Sequence, residues 1–242
     1  MSLSLILLLT LVCVFTYAFE ITFGLAGTIM MLAVMSYFID AKLLVIYSIL
    51  PQILVATIGL TRSPKTVRKE VLLGMVGVAA LGSLVGFYIF NRVPIDVFRM
   101  LLAGVITLSG LYLVAAPGRL SIRRPVARVL DFIAGVSQAL FGISGPIAMT
   151  RILATHTDKL VIRNYALAFF LSLNVFRGIG YAVNGSMTDV IIEMMLISAP
   201  FLIITLWYSN HLHFKVKDEH FKRVVAWVIL FGGVSLFFAQ TV

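Results

Sequence analysis

Six stretches of the chain, at about 43 to 60, 71 to 90, 98 to 116, 160 to 183, 188 to 209 and 223 to 240, are almost continuously apolar. Each approaches the roughly 20 residues that a helix needs to cross a bilayer. Two further apolar stretches do not fit a single helix. Residues 3 to 39 are too long for one crossing and are broken near Glu20 to Gly27, and residues 129 to 154 are broken at Gly142 to Pro146. The polar segments Thr61 to Glu70 and Pro117 to Arg128 are loops. The pattern predicts an all-α polytopic membrane protein with seven or eight hydrophobic segments.

The two breaks carry the same motif. Phe23-Gly24-Leu25-Ala26-Gly27 returns as Phe141-Gly142-Ile143-Ser144-Gly145, each Phe is followed 17 residues later by an Asp (Asp40, Asp158), and Tyr47 and Tyr165 keep the offset of 118. Farther on, Phe98-Arg99 aligns with Phe221-Lys222, and Gly110 with Gly233, at an offset of 123. Membrane carriers are commonly built from internal repeats. The chain therefore divides into a first repeat at 1–118, a basic linker at 119–124 and a second repeat at 125–242.

Composition removes a soluble reading. Hydrophobic residues make up 61% and charged residues 12% of the chain, against about 45 to 50% and 25% in soluble domains. The N-terminal apolar stretch lacks a basic region before it and reads as a retained segment. A single cysteine, Cys13, excludes an internal disulfide, a cysteine-pair metal site and a two-thiol relay. The net charge of +9 lies in short loops between apolar runs. It points to cytoplasmic loops and anionic lipid, not to nucleic acid.

The same charges choose a topology. If all eight segments crossed, eight basic residues would face one side and ten the other. If 129 to 154 instead enters and returns on one side, fifteen share a side and only Lys42, Arg92 and Arg99 face the other, with Arg177 inside a helix. That asymmetry is what the positive-inside rule expects. It predicts two inverted-topology repeats, each a broken or re-entrant helical segment plus three transmembrane helices. Loops 61–70 and 117–128 are then cytoplasmic and the C-terminus lies outside. Whether 3 to 18 crosses fully stays open.

Non-helical backbone at membrane depth survives only where protein buries it or water lines it. Half-helices starting after each break would aim free N–H groups and the positive ends of their dipoles into the gap, a site for a small anion. The candidates are Gly24, Ala26, Gly27 and Thr28 in the first copy and Gly142, Ser144, Gly145 and Pro146 in the second. Alternatively these glycines only let helices pack closely. Arg177, with Asn174 one turn before it, could grip an oxyanion with its planar fork. It could also snorkel to the interface or pair with Glu193 or Asp189. Gln52 and Gln138 are candidate cavity lining or packing residues. Glu20 is a candidate proton carrier, and Asp131 is either another or a partner of Arg128. The four histidines have no metal-ligand spacing. No catalytic set, nucleotide loop or cofactor motif is visible, so no enzyme, metal or cofactor is expected.

The motif in its two forms, FGLAG and FGISGP, with the longer stretch AGVSQALFGISGP, sits in about 240 residues divided by a basic central loop. The chain in this respect resembles the sulfite exporter TauE/SafE family, also called the 4-toluene sulfonate uptake permease family. That resemblance implies an inner-membrane transporter of sulfur-containing anions such as sulfite or sulfonates, and it marks Gly24, Gly27, Gly142, Gly145 and Pro146. Thr28 departs from the commoner pattern, where glycine or proline stands. The expected function is secondary transport of a small sulfur-containing anion by alternating access, with coupling to protons or another ion. A passive anion channel and a non-transporting membrane assembly protein are the other readings.

Overall fold

A computed structural model describes residues 2–23, 26–61, 66–115, 122–212, 227 and 229–236. Gly24, His213, His220, half of the stretch 223 to 240 and part of each basic loop lie outside the described residues. The described chain is helical, with no strand among its residues. In order the helices are α1 (Leu3–Phe23), α2 (Gly27–Met35), α3 (Ala41–Tyr47), α4 (Ile49–Thr61), α5 (Lys69–Arg92), α6 (Ile95–Ala115), α7 (Arg124–Phe141), α8 (Gly145–Leu153), α9 (Lys159–Val183) and α10 (Asp189–Leu212). A further helical stretch covers 229–236.

Among the described residues six helical stretches are long and apolar enough to cross a membrane: Leu3–Ile21, Ala41–Thr61, Lys69–Arg92, Ile95–Tyr112, Leu160–Val183 and Asp189–His211. Their outer faces expose large apolar side chains such as Leu73, Leu108, Ile179, Leu196 and Ile204. Apolar side chains on an outer surface are at home against lipid. The span Ala41–Thr61 is two helices that meet at Ser48. Pro51 has no N–H for the carbonyl of Tyr47, four residues earlier, and the ladder is interrupted there.

The helix ends repeat as the motif does. α1 and α7 end at Phe23 and Phe141, α2 and α8 are both nine residues long, and α3 and α9 begin at Ala41 and Lys159. Each of these later boundaries lies 118 residues after the earlier one. The Asp of the motif explains the restart. Asp40 accepts from the N–H groups of Lys42 (2.9 Å) and Leu43 (3.1 Å), and Asp158 from that of Val161 (2.9 Å), so each carboxylate caps the helix that follows. At 1.5 Å per residue α2 and α8 are about 13 Å long, less than half of a hydrocarbon core about 30 Å thick.

Hydrogen bonds mark the two ends of the bundle. At one end Arg68 N donates to Tyr165 Oη (3.0 Å) and Asn164 Nδ2 to Thr66 Oγ1 (3.0 Å). At the other, Lys42 Nζ caps the carbonyls of Phe90 (2.9 Å) and Val93 (2.6 Å), and Asn184 Nδ2 donates to Asn91 Oδ1 (2.8 Å). α9 packs antiparallel to α3 and α4 between these ends. Arg163 Nη1 donates to the Gly59 carbonyl (3.1 Å) and Arg177 Nη2 to the Val45 carbonyl (2.9 Å). Positions 45 and 163 are 118 apart, as are 59 and 177, so one pair of positions meets twice with the roles exchanged.

α7 runs beside α5 in the same direction, with Gly82 against Phe132 and Gly86 against Val136 and Ala139. Its buried face, Ala127, Asp131, Ala134, Gly135 and Gln138, has the spacing of one helix stripe. α8 then turns back toward the end where α7 begins. Arg151 on α8 pairs with Asp131 at 3.6 Å, and Thr150 Oγ1 donates to Tyr112 Oη at 2.9 Å. Asp131 thus takes Arg151 as its partner, not the expected Arg128, because the turn carries the short helix back along α7.

Candidate anion site

The α7–α8 break is shaped by Gly142, which has φ 69° and caps α7 by donating to the Gln138 carbonyl at 2.9 Å. This left-handed conformation is open to glycine at little cost. A side chain there would also strike Arg177, since a Cβ would lie 2.7 Å from Nη1. Ser137 Oγ donates to the Ile143 carbonyl and fixes the turn. Pro146 then stands in the first turn of α8, where its missing N–H costs nothing.

In the first copy Ala26 takes the left-handed conformation, with φ 86°, just before α2. α2 turns back along α1 so closely that a Cβ on Gly27 would lie 2.6 Å from Glu20 Oε2. The closeness lets Thr28 N donate to Glu20 Oε2 at 3.0 Å. Thr28 Oγ1 donates to Tyr17 Oη at 3.1 Å.

One network joins the two breaks. Gln52 Nε2 donates to Thr28 Oγ1 (2.7 Å) and to the Gly142 carbonyl (2.9 Å). Gln138 Nε2 donates to Gln52 Oε1 (2.7 Å) and Asn174 Oδ1 (3.0 Å), and Ser144 Oγ donates to Gln138 Oε1 (2.6 Å). Gln52, Gln138, Ser144, Thr28 and Asn174 are all buried, and buried polar groups need such partners.

The network borders a cavity of about 30 Å³, lined from the first half by Glu20, Ala26, Thr28, Ile29 and Gln52 and from the second by Gln138, Gly142, Ile143, Ser144, Gly145 and Phe170. A volume near 30 Å³ holds about two waters, so it suits a group of a few atoms. The lining repeats with the chain. Glu20 and Gln138, Ala26 and Ser144, and Gln52 and Phe170 are pairs of positions 118 residues apart.

Arg177 stands behind Gly142 and is fully buried. Nη1 donates to the Gln138 carbonyl (3.1 Å), and Nη2 to the Val45 carbonyl (2.9 Å) and Ser48 Oγ (2.7 Å). Its guanidinium fork therefore holds together the ends of two interrupted helices, and it faces the cavity only through Gly142. Neither Arg177, Asn174, Gly27 nor Pro146 is among the lining residues. No carboxylate among the described residues pairs with Arg177. Its charge stays in a low-dielectric interior, where fields reach far.

Sequence reasoning passed over Tyr17, Ser48 and Phe170. Tyr17 lies one helical turn before Glu20, Ser48 one turn before Gln52, and Phe170 at the repeat position of Gln52, so spacing from known candidates was the available signal. Of the histidines, His156 stacks on Tyr165 with ring centroids 4.3 Å apart. Partial burial, with Arg151 and Arg68 nearby, lowers its pKa below the usual histidine value. His211 Nδ1 contacts the Trp207 carbonyl at 2.8 Å. No cluster of His, Cys, Asp or Glu suited to a metal occurs among the described residues.

No curated protein matches the chain, and no solved structure does. The pattern that defines the family described as sulfite exporter TauE/SafE matches residues 9–236, which takes in both breaks and every lining residue of the cavity. The chain belongs to the TauE/SafE sulfite exporter family.

Proposed function

We propose that the protein is a secondary transporter that carries a small sulfur-containing anion, such as sulfite or a compact sulfonate, across the cytoplasmic membrane by alternating access between two inverted halves. The observation that carries this reading is the cavity where the two breaks meet, bordered by donors from both halves and backed by Arg177. A buried cation without an acidic partner favours an anion in the adjacent space. The first turn of α8, which no side chain among the described residues caps, supplies backbone donors, and the family supplies the class of anion.

Inversion of the halves, 1–118 and 125–242 on either side of the linker 119–124, is supported by the antiparallel, reciprocal contact of α3 and α4 with α9. Both short helices turn back along their predecessors, which supports two re-entrant arms that approach each other from opposite faces. In this arrangement loops 61–70 and 117–128 face the cytoplasm and the C-terminus lies outside. The substrate cage comprises Ala26 and Thr28 with Gly142, Ser144 and Gly145, Gln52 and Gln138 border it, and Asn174 and Arg177 hold it in shape.

Purified protein in liposomes loaded with radiolabelled sulfite tests the reading. Saturable uptake with counterflow is the expected result. Flux that rises linearly with concentration and shows no counterflow identifies a passive pore and overturns it. Absence of any sulfite or sulfonate flux from correctly folded protein would mean that the chain is not a transporter of this class.

A further inference from the structure

The two breaks differ in one chemical respect. At the end of α2 an acid of the protein already occupies the first turn, since Glu20 Oε2 accepts from Thr28 N at 3.0 Å and lies 3.5 Å from Thr28 Oγ1. At the repeat position in the second half the residue is Gln138, a neutral amide whose two ends are taken by Gln52, Asn174 and Ser144. No side chain caps α8, and Gly142, Ser144 and Gly145 border the cavity together with Glu20.

We propose that the Glu20 carboxylate is a built-in anion that fills the α2 half of the cage and yields it to the transported anion on taking up a proton, so that one proton travels with each anion in the same direction. The proposal rests on the transport reading above. A cavity of about 30 Å³ leaves too little distance for two unscreened negative charges. Protonated Glu20 is neutral and has a donor, so it can release Thr28 N and offer its own O–H to the arriving anion. The proton enters from whichever side the cavity faces, and leaves to the other side after the anion does. The ionised carboxylate then returns to Thr28 N. No oxidant, metal or second substrate is needed.

The surroundings leave Glu20 as the group that titrates. On α1 the other titratable side chains are Cys13 and Tyr17, both buried, and Tyr17 accepts from Thr28 Oγ1. α2 and α4, which pack on α1, contain no titratable residue. α10, packed along α1, has Asp189, Glu193 and Tyr208 at exposed positions and His211 in its last turn. From α3, Tyr47 is engaged by Ser198, and from α9, Arg177 is engaged by carbonyls and Ser48. Glu20 has no cationic partner among the described residues.

The experiment compares wild type, Glu20→Gln and Glu20→Asp in liposomes with radiolabelled sulfite, and subtracts the leak of protein-free liposomes. Two rates are read: exchange with sulfite on both sides, and accumulation driven by a proton gradient. Wild type should accumulate sulfite toward the alkaline side. After correction for sulfite's own protonation, its exchange should fall about tenfold per pH unit above the titration. Glu20→Gln, which gives both halves the same amide and cannot take up a proton, should lose the accumulation and, in whatever exchange it retains, the pH dependence. Glu20→Asp should restore coupling. Gradient-driven accumulation in Glu20→Gln at the wild-type level overturns the coupling role and leaves the transport reading intact. Wild-type exchange that ignores pH overturns the coupling role whatever the variants do. If wild type carries no sulfite at all, both readings fall.

Discussion

Glu20 and Gln138 stand 118 residues apart at the same place in the two broken helices, and both line the same cavity. Gln52 ties them together: its amide donates to Thr28 beside Glu20, and its carbonyl accepts from Gln138. The repeat therefore converges in space on its own two copies of one position, an acid in one and an amide in the other.

Gln52→Leu removes the one side chain, among the described residues, that bonds to both breaks. Loss of its amide leaves the Gly142 carbonyl without that donor and Gln138 Nε2 without one of its acceptors, at about 1 to 3 kcal/mol for each buried group left unsatisfied. Sulfite flux is expected to fall by at least about tenfold, with a lower melting temperature. Wild-type flux and stability in this variant would remove Gln52 from the site.

Arg177→Lys and Arg177→Met separate charge from shape. Lysine keeps the charge but lacks the fork that reaches Val45, Ser48 and Gln138 at once. Methionine leaves those buried acceptors with fewer donors, at a cost of about 2 to 5 kcal/mol. Lys should transport slowly with weakened sulfite affinity, and Met should be both destabilised and inactive. Thermal unfolding alongside flux reads the two effects. A methionine variant that transports normally would show that the cation has no part in the site.

Gly142→Ala and Gly185→Ala form a matched pair. Both glycines have φ near +70°, but a Cβ at Gly185 meets nothing within 4 Å, whereas at Gly142 it meets Arg177 Nη1. Backbone strain of about 1 kcal/mol is common to the two, so any larger loss at Gly142 reports the clash with Arg177. Gly185→Ala should transport as wild type and Gly142→Ala should not. Equal effects at both positions would mean that the break tolerates a side chain.

Cysteine labelling reads the topology. The native Cys13 is fully buried, so single cysteines can be added without replacing it. Asn91→Cys and Thr155→Cys lie at opposite ends of the bundle, the first beside Asn184 and the second beside His156, which stacks on Tyr165. Asn91→Cys should react with an impermeant maleimide in whole cells, and Thr155→Cys only after the membrane is opened. The reverse pattern would invert the proposed orientation.

Much of the helical framework is legible in the order of residues alone. Apolar length sets most of the spanning helices, and glycines inside apolar runs set both breaks, because a helix in lipid has no other solvent to satisfy its backbone. The repeated Asp sets the restart of α3 and α9 through a local cap. Less legible is the interruption at Ser48, for which Pro51 is the only sign in an otherwise continuous apolar run. The role of Arg177 is not legible at all. Gripping an oxyanion, snorkelling and pairing with an acid are all consistent with one arginine in an apolar helix.

The sequence by itself determined the elements, their repetition and the sign of the loops, since these depend on composition and on neighbours within a few turns. Only the tertiary structure decided that Glu20 caps α2, that Gln52 bridges the breaks and that Arg177 holds backbone carbonyls behind Gly142. Those partners lie from 8 to 132 residues apart. A side chain's hydrogen bonds over such separations are chosen by how the helices pack, and no periodicity along the chain encodes that choice.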